Sequence, residues 1–76
     1  METTTSKQDM TRLLRRAQRF QLKTKYSVMI NSYHDERGLW FVINVEVKGV
    51  WLHEAIYQWH SLDENAFRLD HLLNNI

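Results

Sequence analysis

The sequence predicts one small α+β domain in the order α-β-β-β-α, with both helices packed on one face of a three-stranded antiparallel sheet. Three observations support this prediction. The 76 residues suffice for one domain and no more. Apolar residues recur at spacings of three and four near both ends, and they alternate with polar residues in the middle. We expect the domain to span residues 6–76 and the polar residues 1–5 to form a flexible N-terminus.

The composition is typical of a folded, soluble chain. Apolar residues make up 43% of the sequence, which includes three Trp, three Tyr and three Phe, whereas disordered chains are usually poor in aromatics. No apolar run approaches the roughly 20 residues that cross a bilayer, and the N-terminus lacks the apolar core of a signal peptide. Cysteine is absent, which fits a reducing compartment, so the expected location is the cytoplasm.

The first predicted helix covers residues 7–22. Ser6 and Asp9 have the spacing of a capping box at its start. The apolar residues at helical spacing are Met10, Leu13, Leu14, Ala17 and Phe20. The basic residues of the opposite face are Arg12, Arg15, Arg16, Arg19 and Lys23.

The next segments predict two strands. Tyr26, Val28 and Ile30 alternate with Ser27, Met29 and Asn31, which indicates a strand. The polar segment 33–38 ends in glycine and predicts a hairpin loop. Residues 39–47 alternate again and are rich in β-branched and aromatic residues, which indicates a second strand. Lys48-Gly49 predicts a tight turn.

The segment 50–60 fits two structures. As a strand it pairs with the second strand; as a helix it would gather Trp51, Ala55 and Trp59 on one face. The strand is favoured, because the Gly49 turn leaves little chain for a wide connection and a lone two-stranded hairpin makes a poor sheet.

The last predicted helix covers residues 62–74. Ser61 and Glu64 form a capping box, and the apolar residues Leu69, Leu72 and Leu73 follow at helical spacing. We expect the helices to bury five side chains against the sheet: Leu13, Leu14, Ala17, Leu69 and Leu73.

This arrangement leaves more large apolar groups than one sheet face hides. If strand 50–60 turns one face to the helices, the open face shows Trp51, Tyr57 and Trp59; in the other case it shows Val50, Leu52 and Ile56. Trp40 and Val42 add to this surplus. The alternatives are a partner-binding surface and a core in which the chain covers its own aromatics. The predicted partner-binding residues are Trp40, Val42, Trp51, Tyr57 and Trp59.

Charge is divided unequally along the chain. Residues 1–25 carry seven basic and two acidic residues, a net charge of +5, and residues 26–76 carry three basic and seven acidic residues, a net charge of −4. The basic helix face is therefore a candidate nucleic-acid-binding surface formed by Arg12, Arg15, Arg16, Arg19 and Lys23. The alternatives are a solvated helix face or an attraction between the two halves.

The predicted α-β-β-β-α order resembles the arrangement of double-stranded-RNA-binding domains. The resemblance covers topology only. In that family the first helix and the β1–β2 loop meet minor grooves, and a lysine cluster at the start of the last helix meets phosphates. The corresponding segment here, residues 61–65, is acidic and would repel phosphate.

The sequence offers little for catalysis, cofactors or metals. The four histidines (His34, His53, His60 and His71) lack the spacing of a metal site, and there is no cysteine and no glycine-rich phosphate loop. We therefore expect no enzyme, no cofactor, no metal and no small-molecule substrate. The expected function is a small binding or regulatory module that contacts protein through the open sheet face, with a homodimer as one form; the alternative is nucleic-acid binding by the first helix.

Overall fold

The structure, a computed structural model, describes residues 4–76 and has the predicted α+β order. Residues 1–3, which belong to the segment expected to be flexible, lie outside the described residues. The elements are α1 (Lys7–Lys23), β1 (Ser27–Asp35), β2 (Gly38–Val47), β3 (Val50–Tyr57) and α2 (Leu62–Asn74). The strands form one antiparallel sheet in the order β1-β2-β3. Both helix starts are capped as predicted, since Ser6 accepts from the Asp9 N–H and Ser61 accepts from the Glu64 N–H.

The ambiguous segment after Gly49 is a strand, so the helical alternative is wrong. It ends at Tyr57, three residues earlier than predicted. The β2–β3 turn is the expected Lys48-Gly49 pair, with φ of 51° and 83°. Two successive positive φ values are those of a type I′ turn, whose twist matches the twist of the flanking strands.

The predicted loop at 33–38 is wrong in its length. Both strands continue to Asp35 and Gly38, which pair directly, so only Glu36 and Arg37 form the turn. The Asp35 carboxylate accepts the Arg37 backbone N–H at 2.8 Å, a contact that closes the turn locally. Tyr33 pairs with Trp40 across the strands and their rings stack at 5.3 Å. This cross-strand contact extends the ladder into a segment whose composition is polar.

The core lies between the helices and one face of the sheet. α2 lies against β3, and α1 contacts both α2 and β1. Three of the five helical side chains predicted to be buried are so (Leu13, Ala17 and Leu69), whereas Leu14 and Leu73 are half-buried at the margin. The other buried apolar residues are Met10, Phe41, Ile43, Val45, Ile56 and Leu72.

A buried amide joins the end of β3 to α2. The Asn65 side chain is fully buried, accepts the Tyr57 N–H at 3.0 Å and donates to the Tyr57 carbonyl at 2.7 Å. It thus satisfies both backbone groups of Tyr57, as a neighbouring strand would. Asn65 also donates to Thr5 Oγ1 at 2.9 Å, and Thr5 donates to the His60 carbonyl at 2.7 Å. Thr5 therefore belongs to the hydrogen-bonded structure, one residue before the predicted boundary at Ser6.

We expect Asn65→Ala to lower the free energy of unfolding by about 1 to 3 kcal/mol, because it leaves the Tyr57 N–H without its partner, while the Tyr57 carbonyl keeps the His60 N–H at 3.1 Å. Asn74→Ala, an exposed change in the same helix, is the matched control and should stay within about 0.5 kcal/mol of the parent. Urea unfolding of both variants measures the difference. Equal stabilities for the two variants would contradict the structural role of Asn65.

Candidate functional site

The helix-free side of the sheet is the candidate site. Because Phe41, Ile43 and Val45 point into the core, the even-numbered residues of β2 point away from the helices. By the strand register, the odd-numbered residues of β1 and β3 share that side. We call this side, together with Trp59, the open face. All five predicted partner-binding residues lie on it: Trp40, Val42, Trp51, Tyr57 and Trp59.

One end of the open face is an aromatic cluster formed by Tyr33, Trp40, Tyr57 and Trp59. Tyr33 stacks on Trp40, and Trp59 meets Trp40 edge-on with ring centroids 5.6 Å apart. Tyr57 and Trp59 are closer, at 4.8 Å. Trp59 lies beyond the end of β3, so the chain folds back to place its ring against the sheet. Both Trp40 and Trp59 are half-buried as a result.

Arg37 covers the aromatic cluster, a role that the sequence alone did not suggest. Its guanidinium carbon lies 4.5 Å from the Trp59 ring centroid and 5.7 Å from that of Trp40, within the range of cation–π attraction. Asp35 holds the same guanidinium through a contact of 2.9 Å. The position of Arg37, three residues before Trp40 in a tight hairpin, was the available signal.

The Asp35–Arg37 contact depends on pH. The side-chain hydrogen bond from Arg37 lowers the pKa of Asp35 below its ordinary value. A lowered folded-state pKa means that the stabilising contribution is present above the ordinary pKa of an aspartate and is lost as pH falls through the folded-state value. At neutral pH the carboxylate is ionised and Arg37 is held over the rings.

The other end of the open face is bare. Trp51 is 45% exposed and Met29 is 54% exposed. Val42 lies between the two ends, half-buried and paired with Asn31 and Ala55 on the neighbouring strands. The chain thus covers its own aromatics at one end, as the core alternative expected, and leaves Trp51 and Met29 exposed among polar neighbours at the other.

The basic residues of α1 divide into paired and unpaired groups. Arg12 contacts Asp9 at 3.3 Å, and Arg16 forms an ion pair with Asp70 of α2. The second contact joins the basic and acidic halves of the chain. Within residues 4–76, Arg15, Arg19 and Lys23 form no ion pair.

A groove of about 480 Å³ runs beside β3. A domain of this size would be expected to hold little pocket volume, but this groove lies within the range of ligand pockets, about 300 to 1,000 Å³. Its lining residues are Trp51, Leu52, His53, Glu54, His71, Leu72 and Asn75. In residues 4–76 no group of three or more His, Asp or Glu side chains is arranged to hold a metal ion.

Comparison with known proteins finds no matching family model, no matching curated protein and no matching solved structure. Neither helix of the described chain is both long and apolar enough to cross a membrane. The geometry of the chain is therefore the basis for proposing its function.

We expect Gly38→Ala to disturb the aromatic cluster. A Cβ at residue 38 would lie 2.8 Å from Gln58 Oε1, and its φ of +131° is one that L residues rarely adopt. Gln58 accepts the Leu39 N–H through that oxygen, at 3.1 Å, and directly precedes Trp59. The indole resonances of Trp40 and Trp59 should therefore shift in a two-dimensional NMR spectrum.

Gly49→Ala is the control for this prediction. Its φ is also positive, at +83°, but a Cβ there meets nothing within 4 Å, and the turn lies at the opposite end of β2. Gly49→Ala should therefore strain its own turn and leave both indole resonances in place. Unchanged indole resonances in Gly38→Ala would contradict the contact between Gln58 and the glycine.

Proposed function

We propose that this protein is a non-enzymatic binding module whose open face takes an apolar surface of a partner protein. The observation that carries the proposal is the exposure of Trp51 and Met29 on the same sheet face as the aromatic cluster, a face that no helix of the described chain covers. Glu46 and Asn44 lie across the strands from these two side chains, and exposed apolar groups with a polar rim are typical of protein contact sites. Trp, Tyr, Met and Arg are also the residue types enriched in interfaces.

The shape of the open face supports a protein partner. The opposite face of the same sheet is covered by two helices of 17 and 13 residues. A helix with its side chains is about 10 Å across, and three strands spaced about 4.8 Å apart make a surface of similar width. One amphipathic helix of a partner would therefore cover the open face along its length.

The aromatic cluster makes one end of the open face rigid. Its four rings and Arg37 already contact one another in the unbound chain. Side chains that are ordered before binding lose little conformational entropy when the partner arrives. This end therefore acts as a preformed platform, while Trp51 and Met29 supply the surface that becomes buried on binding.

A homodimer is one form of this proposal. Burial of two open faces against each other would supply apolar contact that a 9.2 kDa monomer lacks. Light scattering at micromolar concentration tests this form. A mass of one chain excludes the homodimer form and leaves a different partner protein.

We expect Trp51→Ser to abolish most of the binding without loss of folding, because Trp51 is exposed and lies on the bare end of the open face. Phe67→Ser is the matched control, since Phe67 is 70% exposed but lies on α2. The parent and both variants are immobilised, and the proteins that each one captures are compared. Each captured partner is then purified and titrated against the parent and the variants. Affinity should fall by at least about tenfold for Trp51→Ser and stay unchanged for Phe67→Ser.

Two outcomes oppose the proposal. Purified partners that bind the parent and Trp51→Ser equally would place their contact elsewhere. Trp40→Ser adds a second check: it should cost stability as well as binding, since Trp40 is half-buried against two rings. If both tryptophan variants fail to fold, these side chains belong to the core rather than to a binding surface.

Nucleic-acid binding by α1 remains the second proposal, and the unpaired side chains of Arg15, Arg19 and Lys23 favour it. Three phosphate contacts predict a slope of about −3 for log affinity against log salt on duplex DNA. The triple change of these residues to Gln should remove most binding, and Lys48→Gln, at the distant β2–β3 turn, is the control. Anisotropy titrations at low and moderate salt measure both. Absence of binding by the parent at low salt excludes this function.

The cytoplasm is the proposed location. The sequence contains no cysteine. Small domains in oxidising compartments often depend on disulfides, whereas these bonds rarely form in the cytosol, so the absence of cysteine supports a reducing compartment.

A further inference from the structure

Within residues 4–76, no other strand pairs with the outer edge of β1. β1 and β3 are the two edges of the sheet, and β1 spans nine residues. It contains no proline, no glycine and no charged residue before Asp35. Natural sheets usually protect an exposed edge with such residues or with a covering element, because a bare edge pairs readily with another strand.

The register shows which backbone groups of β1 face outward. Leu39 of β2 directs both its N–H and its carbonyl to Gln58, which continues β3. Backbone direction alternates along a strand, so the odd-numbered residues of β2 face β3 and its even-numbered residues face β1. The residues of β1 paired with those even positions are odd-numbered. The even-numbered residues of β1 therefore direct N–H and carbonyl groups to the free edge: Val28, Ile30, Ser32 and His34.

The β3 edge differs because the chain protects part of it. Asn65 satisfies both backbone groups of Tyr57, and Glu54 Oε1 accepts the Ala55 N–H at 3.2 Å. α2 also lies against β3. Only the first half of the β3 edge is left, so a strand added to this sheet fits at β1.

We propose that a second copy of this chain pairs with the outer edge of β1, antiparallel to it, to form a continuous six-stranded sheet. A two-fold axis perpendicular to the sheet keeps the open faces of both copies on one side. The outward N–H and carbonyl groups of the two copies then meet when even-numbered residues of one β1 pair with even-numbered residues of the other. The register centred on Ile30 pairs Ile30 with its own copy and Val28 with the second copy's Ser32, and these three hydrogen-bonded pairs supply about six N–H to carbonyl bonds.

Charge selects this register among its neighbours. Centring on Ile30 brings Lys25, which lies in the bend two residues before β1, to the end of the paired segment at which Asp35 of the second copy lies, and the two-fold axis repeats this at the other end. Centring on Asn31 would instead set Lys25 opposite Arg37, and centring on Met29 would set it opposite Tyr33. Opposite charges across a strand pair stabilise it and like charges oppose it. The two Lys25–Asp35 pairs therefore favour the Ile30 register.

The flank of α1 above this edge permits the approach. Arg16 points to α2 through its ion pair with Asp70. Gln18 lies about 200° around the helix from Arg16 and so faces the β1 side. Leu14 and Gln21, at helical spacing from Gln18, lie on the same flank, where Lys7 at the start of the helix is the charged residue. The two copies of α1 would approach each other through this flank and not through their basic faces.

Amide hydrogen exchange across a concentration series tests the proposal within one strand. The amides of Val28, Ile30 and Ser32 should gain protection as concentration rises from micromolar to millimolar and the mass by light scattering doubles from 9.2 kDa. Those of Met29 and Asn31, which face β2, should be protected at every concentration. A monomer throughout the series, or a dimer in which the outward amides stay unprotected, overturns the proposal.

Ser32→Pro is the matched variant, because it removes only an outward N–H, a position at which an edge strand tolerates proline. It should weaken the dimer by at least about tenfold, and Ser32→Ala should leave it unchanged. Lys25→Glu sets like charges opposite each other and should weaken the dimer severalfold, whereas Lys23→Glu should not. A dimer insensitive to Ser32→Pro overturns the edge pairing, and one insensitive to Lys25→Glu overturns the register. Neither variant changes the open face, so this result is independent of the partner-binding test.

Discussion

Both helices cover the same face of a sheet that has only three strands, and this one-sided cover determines the rest of the surface. Because side chains alternate along each strand, burial of Phe41, Ile43 and Val45 under the helices commits every neighbouring position of β2 to the other side. Trp40 and Val42 are among those positions. The open face and its apolar side chains follow from the position of the helices.

The end of β3 links this cover to the aromatic cluster. Asn65 holds Tyr57 from the side on which a fourth strand would lie, and Gln58 bonds to Leu39 on the other side. The chain then turns and places Trp59 against Trp40, where Arg37 covers both rings. Half-burial of these two indoles therefore depends on polar contacts that lie outside the apolar core. An aromatic cluster ordered in this way would lose little conformational entropy on binding a partner.

Local sequence patterns were sufficient to predict the helices and strands, but they were insufficient to predict the residues at which these elements end. Alternation around Ile43 and helical spacing around Leu69 identified a strand and a helix correctly, since each pattern repeats over several residues. The continuation of β1 through Tyr33 was missed because its stacking on Trp40 exists only after the strands pair. Asn65 was missed for a related reason. Its side-chain amide bonds to the backbone of Tyr57, eight residues earlier, in the place of a neighbouring strand, and no local sequence pattern indicates that contact. The same limit applies to Arg37, whose partners include a ring 22 positions along the chain.

The solvent exposure of the three indoles tests the one-sided cover most directly. An inert gadolinium chelate, added to a dilute solution in which the protein is monomeric, broadens the NMR signals of groups that solvent reaches. The account predicts strong broadening of the Trp51 indole, intermediate broadening of Trp40 and Trp59, and almost none for the methyl groups of Ile43. Three indoles as protected as Ile43 would contradict it, because the open face would then be covered within the single chain.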